Sequence, residues 1–575
     1  MPNISLPANR QSERLSAGLG RFLDGCLYAA VVLVPLFFLP LNQEALEINK
    51  QTLLIVLAGL CLAAWLGQGL AARRFTLGRQ GLFIALGVFV LGYLVAALVS
   101  NDRYLSLVGN SGKTVWSFAT VAALAALALV ISHRANSLTR VYNLLFAFFL
   151  SSLLAAVFGL CQMFGWHLLP FGSASEAAFT TVGSTYGLAM FVVAPLVMAS
   201  ALALHGCRHK VCWLGHDSYL GKAARVLVWL TGVTSLALLV LVDLQSTWIL
   251  LFLGIFLLLL ISYWRSRQLG KPRYLVVPTA LLVICLVFFF IKTPIKPGLP
   301  SEITPSFRAS WNIAQQTLRA YPWFGSGPGT FIYDYALFRV PMVNQSPFWT
   351  VRFDRGYSSA VTLLATLGVI GLLLWLGLII YVSILSWPQL TTEKRDDAWY
   401  ALITVFVGFA ATVLVAGVYN YNLAHHFTFW FLLGLLGALT LKRSWTIEPE
   451  RQPAAWGGLT VAVTVAVIGI LVAGGFAGQR WLADYQAARA AETSASSPGA
   501  ALPLIEKAQS LNPYADEYAR SLSQNHLVRA LALVRNRSTS TQEIVGELSA
   551  AVDAGRRAVS QNPAEVDNWA NLALV

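Results

Sequence analysis

The sequence predicts an all-α polytopic membrane bundle of about thirteen transmembrane helices, and three observations carry that expectation. Of 575 residues, 57% are apolar and 11% charged, against roughly 25% charged in an average soluble domain. Apolar segments of about 20 residues, enough to cross a bilayer as a helix, recur from residue 26 to residue 477. Basic residues gather in alternate connections between those segments. This is the pattern by which short cytoplasmic loops hold Lys and Arg.

The expected spans lie near 26–42, 52–71, 81–100, 115–132, 141–164, 185–204, 226–242, 247–264, 274–291, 359–387, 398–418, 424–441 and 456–477. With the N-terminus inside, the inner connections contain Arg10, Arg14 and Arg21; Arg73, Arg74 and Arg79; Arg134 and Arg140; Arg208, Lys210, Lys222 and Arg225; Arg265, Arg267, Lys271 and Arg273; Lys394 and Arg395; and Lys442, Arg443 and Arg451. The short outer connections contain only Lys50, Arg103 and Lys113. One span more or fewer would invert the sign of every later loop, so the pattern predicts an inner N-terminus and an outer C-terminus. Arg10, Arg14 and Arg21 precede the first apolar run without a small-residue cleavage site, which predicts a retained span.

Net charge is +14, but it is spread over many short loops. That argues for membrane topology and against a nucleic-acid partner. The six cysteines, Cys26, Cys61, Cys161, Cys207, Cys212 and Cys285, fall in or beside spans or in inner loops. No outer disulfide framework is expected.

The transmembrane part is expected to occupy 1–478, interrupted by one long polar outer loop, 293–358. Long outer segments are exempt from the positive-inside rule, so its five arginines, Arg308, Arg319, Arg339, Arg352 and Arg355, are free to serve function. Residues 305–320 read as an interfacial amphipathic helix, with Trp311, Tyr321, Trp323 and Phe324 as headgroup-level anchors. The glycine-rich Trp323-Phe-Gly-Ser-Gly-Pro-Gly-Thr-Phe331 lacks the Lys-Ser/Thr ending of a phosphate loop and reads as a tight turn.

After Gly478 the composition turns alanine-rich and amphipathic, predicting an outer helical domain over 479–575 whose helices continue to Val575. Ala508-Gln-Ser-Leu-Asn-Pro513 and Ala558-Val-Ser-Gln-Asn-Pro563 are similar pieces, each followed by acidic and then aromatic residues, Tyr518 and Trp569. The pattern resembles tetratricopeptide-type hairpins, although the offset departs from their 34-residue period. Stacked helices of this kind present surfaces for a protein partner or an acceptor.

Trp311 and Ala314 on one helix, Pro322 at its end, Phe324-Gly-Ser-Gly-Pro-Gly-Thr-Phe331, and the apolar helix bearing Leu363-Leu-Ala-Thr-Leu-Gly-Val-Ile-Gly371 together resemble the O-antigen ligase and polymerase superfamily of bacterial membrane glycosyltransferases. The resemblance is motif-level over 306–371 and extends over about 20–445 in span count and loop placement. It implies a multi-pass protein of the bacterial inner membrane in lipopolysaccharide or cell-surface polysaccharide synthesis. The donor would be an undecaprenyl-diphosphate-linked glycan and the acceptor a glycan, lipid or protein. No metal, nucleotide sugar or other cofactor is called for. A departing diphosphate suits guanidinium forks, which assigns substrate binding to Arg308, Arg319, Arg339 and Arg352 and the leaving group to Arg355.

Three family positions are altered. Tyr357-Ser358 stands where a histidine followed by Ser or Asn opens the helix as base, Ser246-Thr247-Trp248 replaces an arginine-bearing turn, and Gly183-Ser-Thr-Tyr-Gly187 replaces a Gly-Asn-Pro-Asn-like signature. A tyrosine titrates near pH 10, so Tyr357 is a poor base, and Asp354, His425 and His426 are the substitutes. Asp243, an acid at the end of an apolar segment, is a further substrate-binding candidate. The arginines could instead pair with headgroups or with Asp334 and Asp354, and Asp243 could only cap a turn. A catalytically altered glycan-binding scaffold, a protein O-oligosaccharyltransferase and a transporter are the alternatives. His205, Cys207, His209, Cys212 and His216 crowd one inner loop but fit no strong zinc template.

Overall fold

The computed structural model describes residues 8–77, 80–169, 178–205, 219–264, 275–293, 298–300, 302–345, 347–392, 396–440, 445–494, 497–535 and 540–575. The cysteine and histidine loop from Cys207 to His216 lies outside the described residues. Cys26, Cys61, Cys161 and Cys285 are free thiols.

The protein is predominantly helical. The apolar helices are α1 (Ala8–Leu36), α2 (Glu47–Ala71), α3 (Gln80–Leu98), α5 (Phe118–Arg134), α6 (Leu138–Met163), α7 (Thr185–His205), α8 (Tyr219–Val242), α9 (Gln245–Tyr263), α10 (Val276–Phe290), α13 (Ser359–Leu390), α14 (Asp397–Val418), α15 (Leu423–Thr440) and α16 (Pro453–Ser494). Each expected span falls on one of them. Eleven are long and apolar enough to cross a membrane, while α5 and α10 are shorter. Buried faces of these helices other than α16 form one continuous core, with α7 and α15 as its most enclosed members, while Val463 of α16 packs in a separate small cluster with Leu66 and Phe75. Many residues on α3, α8 and α10 remain exposed and apolar, including Leu91, Val233 and Phe290, as lipid-facing surfaces are.

Two small antiparallel pairs tie the connections. Phe75–Leu77 (β1) pairs with Trp445–Ile447 (β4), placing the ends of α2 and α15 together. Phe179–Thr180 (β2) pairs with Gly183–Ser184 (β3) before α7. The long polar loop builds α11 (Phe307–Ala320) and α12 (Phe331–Phe338). Ser306 caps α11, its Oγ accepting from the Ala309 N–H at 3.2 Å. The apolar face of α11, with Ile313 and Ala314, packs on Phe331, Tyr335, Val361 and Ala365.

The span expected near 359–387 lies on α13, which breaks at Gly368 (φ 66°, ψ −166°). The loop fills the break. Ser326 N–H donates to the Ala365 carbonyl at 3.3 Å and Gly327 N–H to that of Thr366 at 2.9 Å. Val369 N–H donates to the Pro322 carbonyl and Ile370 N–H to that of Trp323, both at 3.1 Å. These four groups would have bonded one another in a continuous helix, so the inserted loop replaces what the break removes. The glycine-rich motif is therefore more than a turn, because its backbone is inserted into a bundle helix.

The expected domain boundary at 478/479 falls within α16, a single 42-residue helix about 63 Å long at 1.5 Å per residue. Its far end joins α17 (Pro498–Leu511), α18 (Asp516–Arg535), α19 (Thr541–Gln561) and α20 (Val566–Leu574) in two hairpins. The two similar sequence pieces occupy equivalent places, with Asn512 ending α17 and Asn562 ending α19. Both asparagines reach the short α4 (Arg103–Leu107) region of the bundle. Asn512 Nδ2 donates to Tyr104 Oη at 2.6 Å, and Asn562 Nδ2 donates to Asp102 Oδ2 and Tyr333 Oη, each at 2.8 Å. Arg480 of α16 is buried and donates to Gln51 Oε1, the Gly109 carbonyl and Tyr104 Oη at 2.9, 2.6 and 3.2 Å. The helical cap is thus docked on the bundle through buried polar contacts.

Candidate functional site

The long polar loop returns to the bundle along 352–358, where backbone contacts set it over the start of α13. Tyr357 N–H donates to Ser310 Oγ at 2.9 Å and Gly356 N–H to Thr362 Oγ1 at 3.1 Å. Ser359 N–H donates to the Tyr419 carbonyl at 3.2 Å, which joins this segment to the α14–α15 turn. Arg355 is thereby brought to the connection between α1 and α2. Its Nε and Nη2 donate to Asp354 Oδ1 and Oδ2 at 3.0 and 2.9 Å, and Nη2 lies 3.5 Å from Glu47 Oε1. Burial would raise the Asp354 carboxyl, but the Arg355 guanidinium outweighs it and holds Asp354 below the usual carboxylate range. So held, Asp354 is a weak proton acceptor and a good counter-ion.

Below Arg355 the charges continue. Glu44 accepts from the Leu46 N–H at 3.0 Å and from the Glu47 N–H. Lys50, 2% exposed, donates from Nζ to the Pro35 carbonyl at 3.0 Å and to the Thr181 carbonyl. Glu302 accepts from Ser184 Oγ at 2.7 Å and from Tyr419 Oη at 3.1 Å. The Tyr419 phenol is raised by burial and then by Glu302, so it stays a hydrogen-bond donor at neutral pH. Asn422 Oδ1 lies 2.8 Å from His425 Nδ1, and the His425 ring stacks on Tyr421 with centroids 5.7 Å apart. One end of the bundle therefore holds four carboxylates, a lysine and an arginine, with hydroxyl and imidazole groups beside them. A carboxylate held by two hydroxyl donors, as Glu302 is, has the orientation a general base needs.

The five loop arginines do not converge on one point. Arg355 is in this cluster. Arg352 reaches the cap, 2.6 Å from Asp567 Oδ1 and 3.6 Å from Glu565 Oε1. Arg308 and Arg319 are exposed on α11. Arg339 donates to the Trp349 carbonyl at 2.8 Å and borders a surface groove with Arg319. Tyr357 is half-buried with its ring edge-on to Phe307. His426 is buried edge-on to Trp116, centroids 4.2 Å apart, and lines an aromatic recess with Tyr93 and Trp430.

Asp243 lies elsewhere, in the α8–α9 turn at φ 47°. Its Oδ1 accepts from Trp248 Nε1 at 3.1 Å and its Oδ2 from the Thr293 N–H at 3.0 Å. One carboxylate oxygen spans the turn to Trp248, and the other ties the turn to the chain leaving α10 at Thr293. Among the described residues, no group of three or more His, Cys, Asp or Glu side chains is placed to hold a metal ion.

Glu47, Lys50 and Glu302 were not singled out from sequence. The available signal was charge beside an apolar run: Glu44, Glu47 and Lys50 immediately precede the second span, where ionisable side chains are costly and retained for function. No family model matches this sequence, and no curated protein matches it.

Proposed function

We propose that this chain is a multi-pass protein of the bacterial inner membrane, of O-antigen ligase and polymerase type, with thirteen spans, an inner N-terminus and an outer helical cap. It takes a glycan from an undecaprenyl-diphosphate carrier at the outer face and passes it to a glycan, lipid or protein acceptor, with inversion and without a metal. The observation that carries this reading is the cluster of Glu44, Glu47, Lys50, Asp354 and Arg355 enclosed between the first outer connection and the returning loop. A guanidinium held by two carboxylates is oriented and desolvated before a ligand arrives, and fixed charge of that kind stabilises a departing diphosphate. Lys50 adds a second cation. Glu302, oriented by Ser184 and Tyr419, takes the proton of the acceptor hydroxyl, the role left open by Tyr357.

A second reading has its own support. Arg352 and Arg355 are both satisfied by carboxylates of this chain, as suits a scaffold that binds the lipid-linked glycan without turnover.

The experiment uses the purified full chain in detergent with an undecaprenyl-diphosphate-linked oligosaccharide, and measures free undecaprenyl diphosphate. Transfer predicts release that Arg355→Ala and Glu302→Gln each abolish while thermal unfolding stays within a few degrees of wild type. Binding of the donor without release favours the scaffold. Release that persists in both variants removes this site from the mechanism.

A further inference from the structure

A groove on the loop's own surface is separate from the charged cluster. It runs between α11 and the chain leaving α12, encloses about 340 Å³, and is bordered by Asn312, Gln315, Gln316 and Arg319 on one wall and Phe338–Pro341 on the other. That volume falls within the range of small-ligand sites. The first wall follows from helical spacing: positions 312, 315, 316 and 319 repeat at i, i+3, i+4 and i+7 and share one face. Arg308 extends the stripe by a turn, about 16 Å from end to end at 1.5 Å per residue. The opposite face of α11, with Ile313 and Ala314, is buried, so the stripe is held rigidly outward. Arg339 supplies a guanidinium to the second wall, already oriented by its bond to the Trp349 carbonyl, and Phe338 supplies an aromatic face.

We propose that this groove binds an acidic oligosaccharide, with the amides on the sugar hydroxyls and Arg319 and Arg339 on a carboxylate. Each carboxamide offers a donor pair and an acceptor side by side, which matches neighbouring hydroxyls that both give and accept. Guanidinium forks match a planar carboxylate in two parallel bonds. A phosphate would use the arginines alone and leave the amide stripe idle, and a lipid chain would meet apolar side chains on one wall only, opposite the polar stripe. This rests on the proposed glycan transfer for its biological sense, and it deepens that reading by naming an acidic glycan as the acceptor or the growing chain.

The test is calorimetric binding to the full chain in detergent, with trigalacturonic acid, maltotriose and inorganic pyrophosphate as probes. Trigalacturonic acid should bind and maltotriose should bind at least about tenfold more weakly, the scale of charged hydrogen bonds lost. Arg319→Gln with Arg339→Gln should erase that difference. Asn312→Ala with Gln316→Ala should weaken both sugars alike, and because Gln316 and Arg319 are exposed while Asn312 and Arg339 are half-buried, thermal unfolding should move little. Equal binding of the two sugars overturns the acidic preference. Absence of sugar binding overturns the site, and so does pyrophosphate binding that the amide variants leave unchanged while trigalacturonic acid fails to compete. Carrier release is scored separately: lost sugar binding with intact release removes the groove alone, and absent release with intact sugar binding removes the transferase alone.

Discussion

Gly325 and Gly368 meet backbone to backbone: a Cβ on either residue would stand 2.6 Å from the amide nitrogen of the other. Both have φ of +66°, a conformation that L side chains adopt only at cost. The contact is where the long polar loop enters the broken bundle helix, so loop and bundle cannot be separated without orphaning the carbonyls of Ala365 and Thr366.

Gly368→Ala and Gly325→Ala should each therefore destabilise by about 4 kcal/mol, from left-handed strain plus a backbone clash that no rotamer relieves. Gly298 has a similar φ of +64° but open space around it, so Gly298→Ala should cost only about 1–2 kcal/mol. Thermal unfolding in detergent ranks the three. Equal effects at 298 and 368 would mean that the insertion is not what holds the loop.

Arg480 joins the cap helix to Gln51, Gly109 and Tyr104 in a buried setting. Arg480→Ala should cost on the order of 3 kcal/mol, since it strands buried acceptors as well as losing its own bonds. Arg480→Lys should recover little, because an ammonium cannot span the three partners as a planar fork does. Limited proteolysis reads this directly, with the cap released from the bundle in both variants.

Asp334, buried on α12, accepts from Ser326 Oγ at 2.6 Å, and burial pushes it up to about 7. A folded value above the unfolded one near 4 means that the native state binds the extra proton in between. Its contribution is complete below about pH 4 and is lost as pH rises through about 7. Asp334→Asn should flatten the fall in melting temperature between pH 5 and pH 8, leaving the slope from Glu517, which burial also raises to about 7. An unchanged pH profile in the variant would show that Asp334 is ionised throughout.

Asp243 reaches Trp248 across the α8–α9 turn with one oxygen and Thr293 beyond α10 with the other. Asp243→Ala should cost about 2 kcal/mol in lost bonds and left-handed strain. Asp243→Asn should cost less, because asparagine tolerates that conformation. Neither should alter donor binding by the full chain. A selective loss of donor affinity in Asp243→Asn would return this residue to the binding site.

Much of the scaffold was legible in sequence because lipid imposes a one-dimensional rule: about 20 apolar residues must form a helix that satisfies its own backbone. The helices that match the expected spans, the amphipathic α11 with its buried Ile313 and Ala314, and the paired Asn-Pro ends of α17 and α19 all follow from local spacing. The candidacy of Arg355 and Asp354 came from their place in the long polar loop and from what the resemblance implies. The partition of the five arginines was not legible. Whether a guanidinium reaches Asp567 across the cap, Glu47 across the bundle or open water depends on contacts between residues hundreds of positions apart. Only the folded chain determines those distances. The same holds for the break at Gly368, since a glycine inside an apolar run is ordinary until another backbone arrives to take its place in the helix.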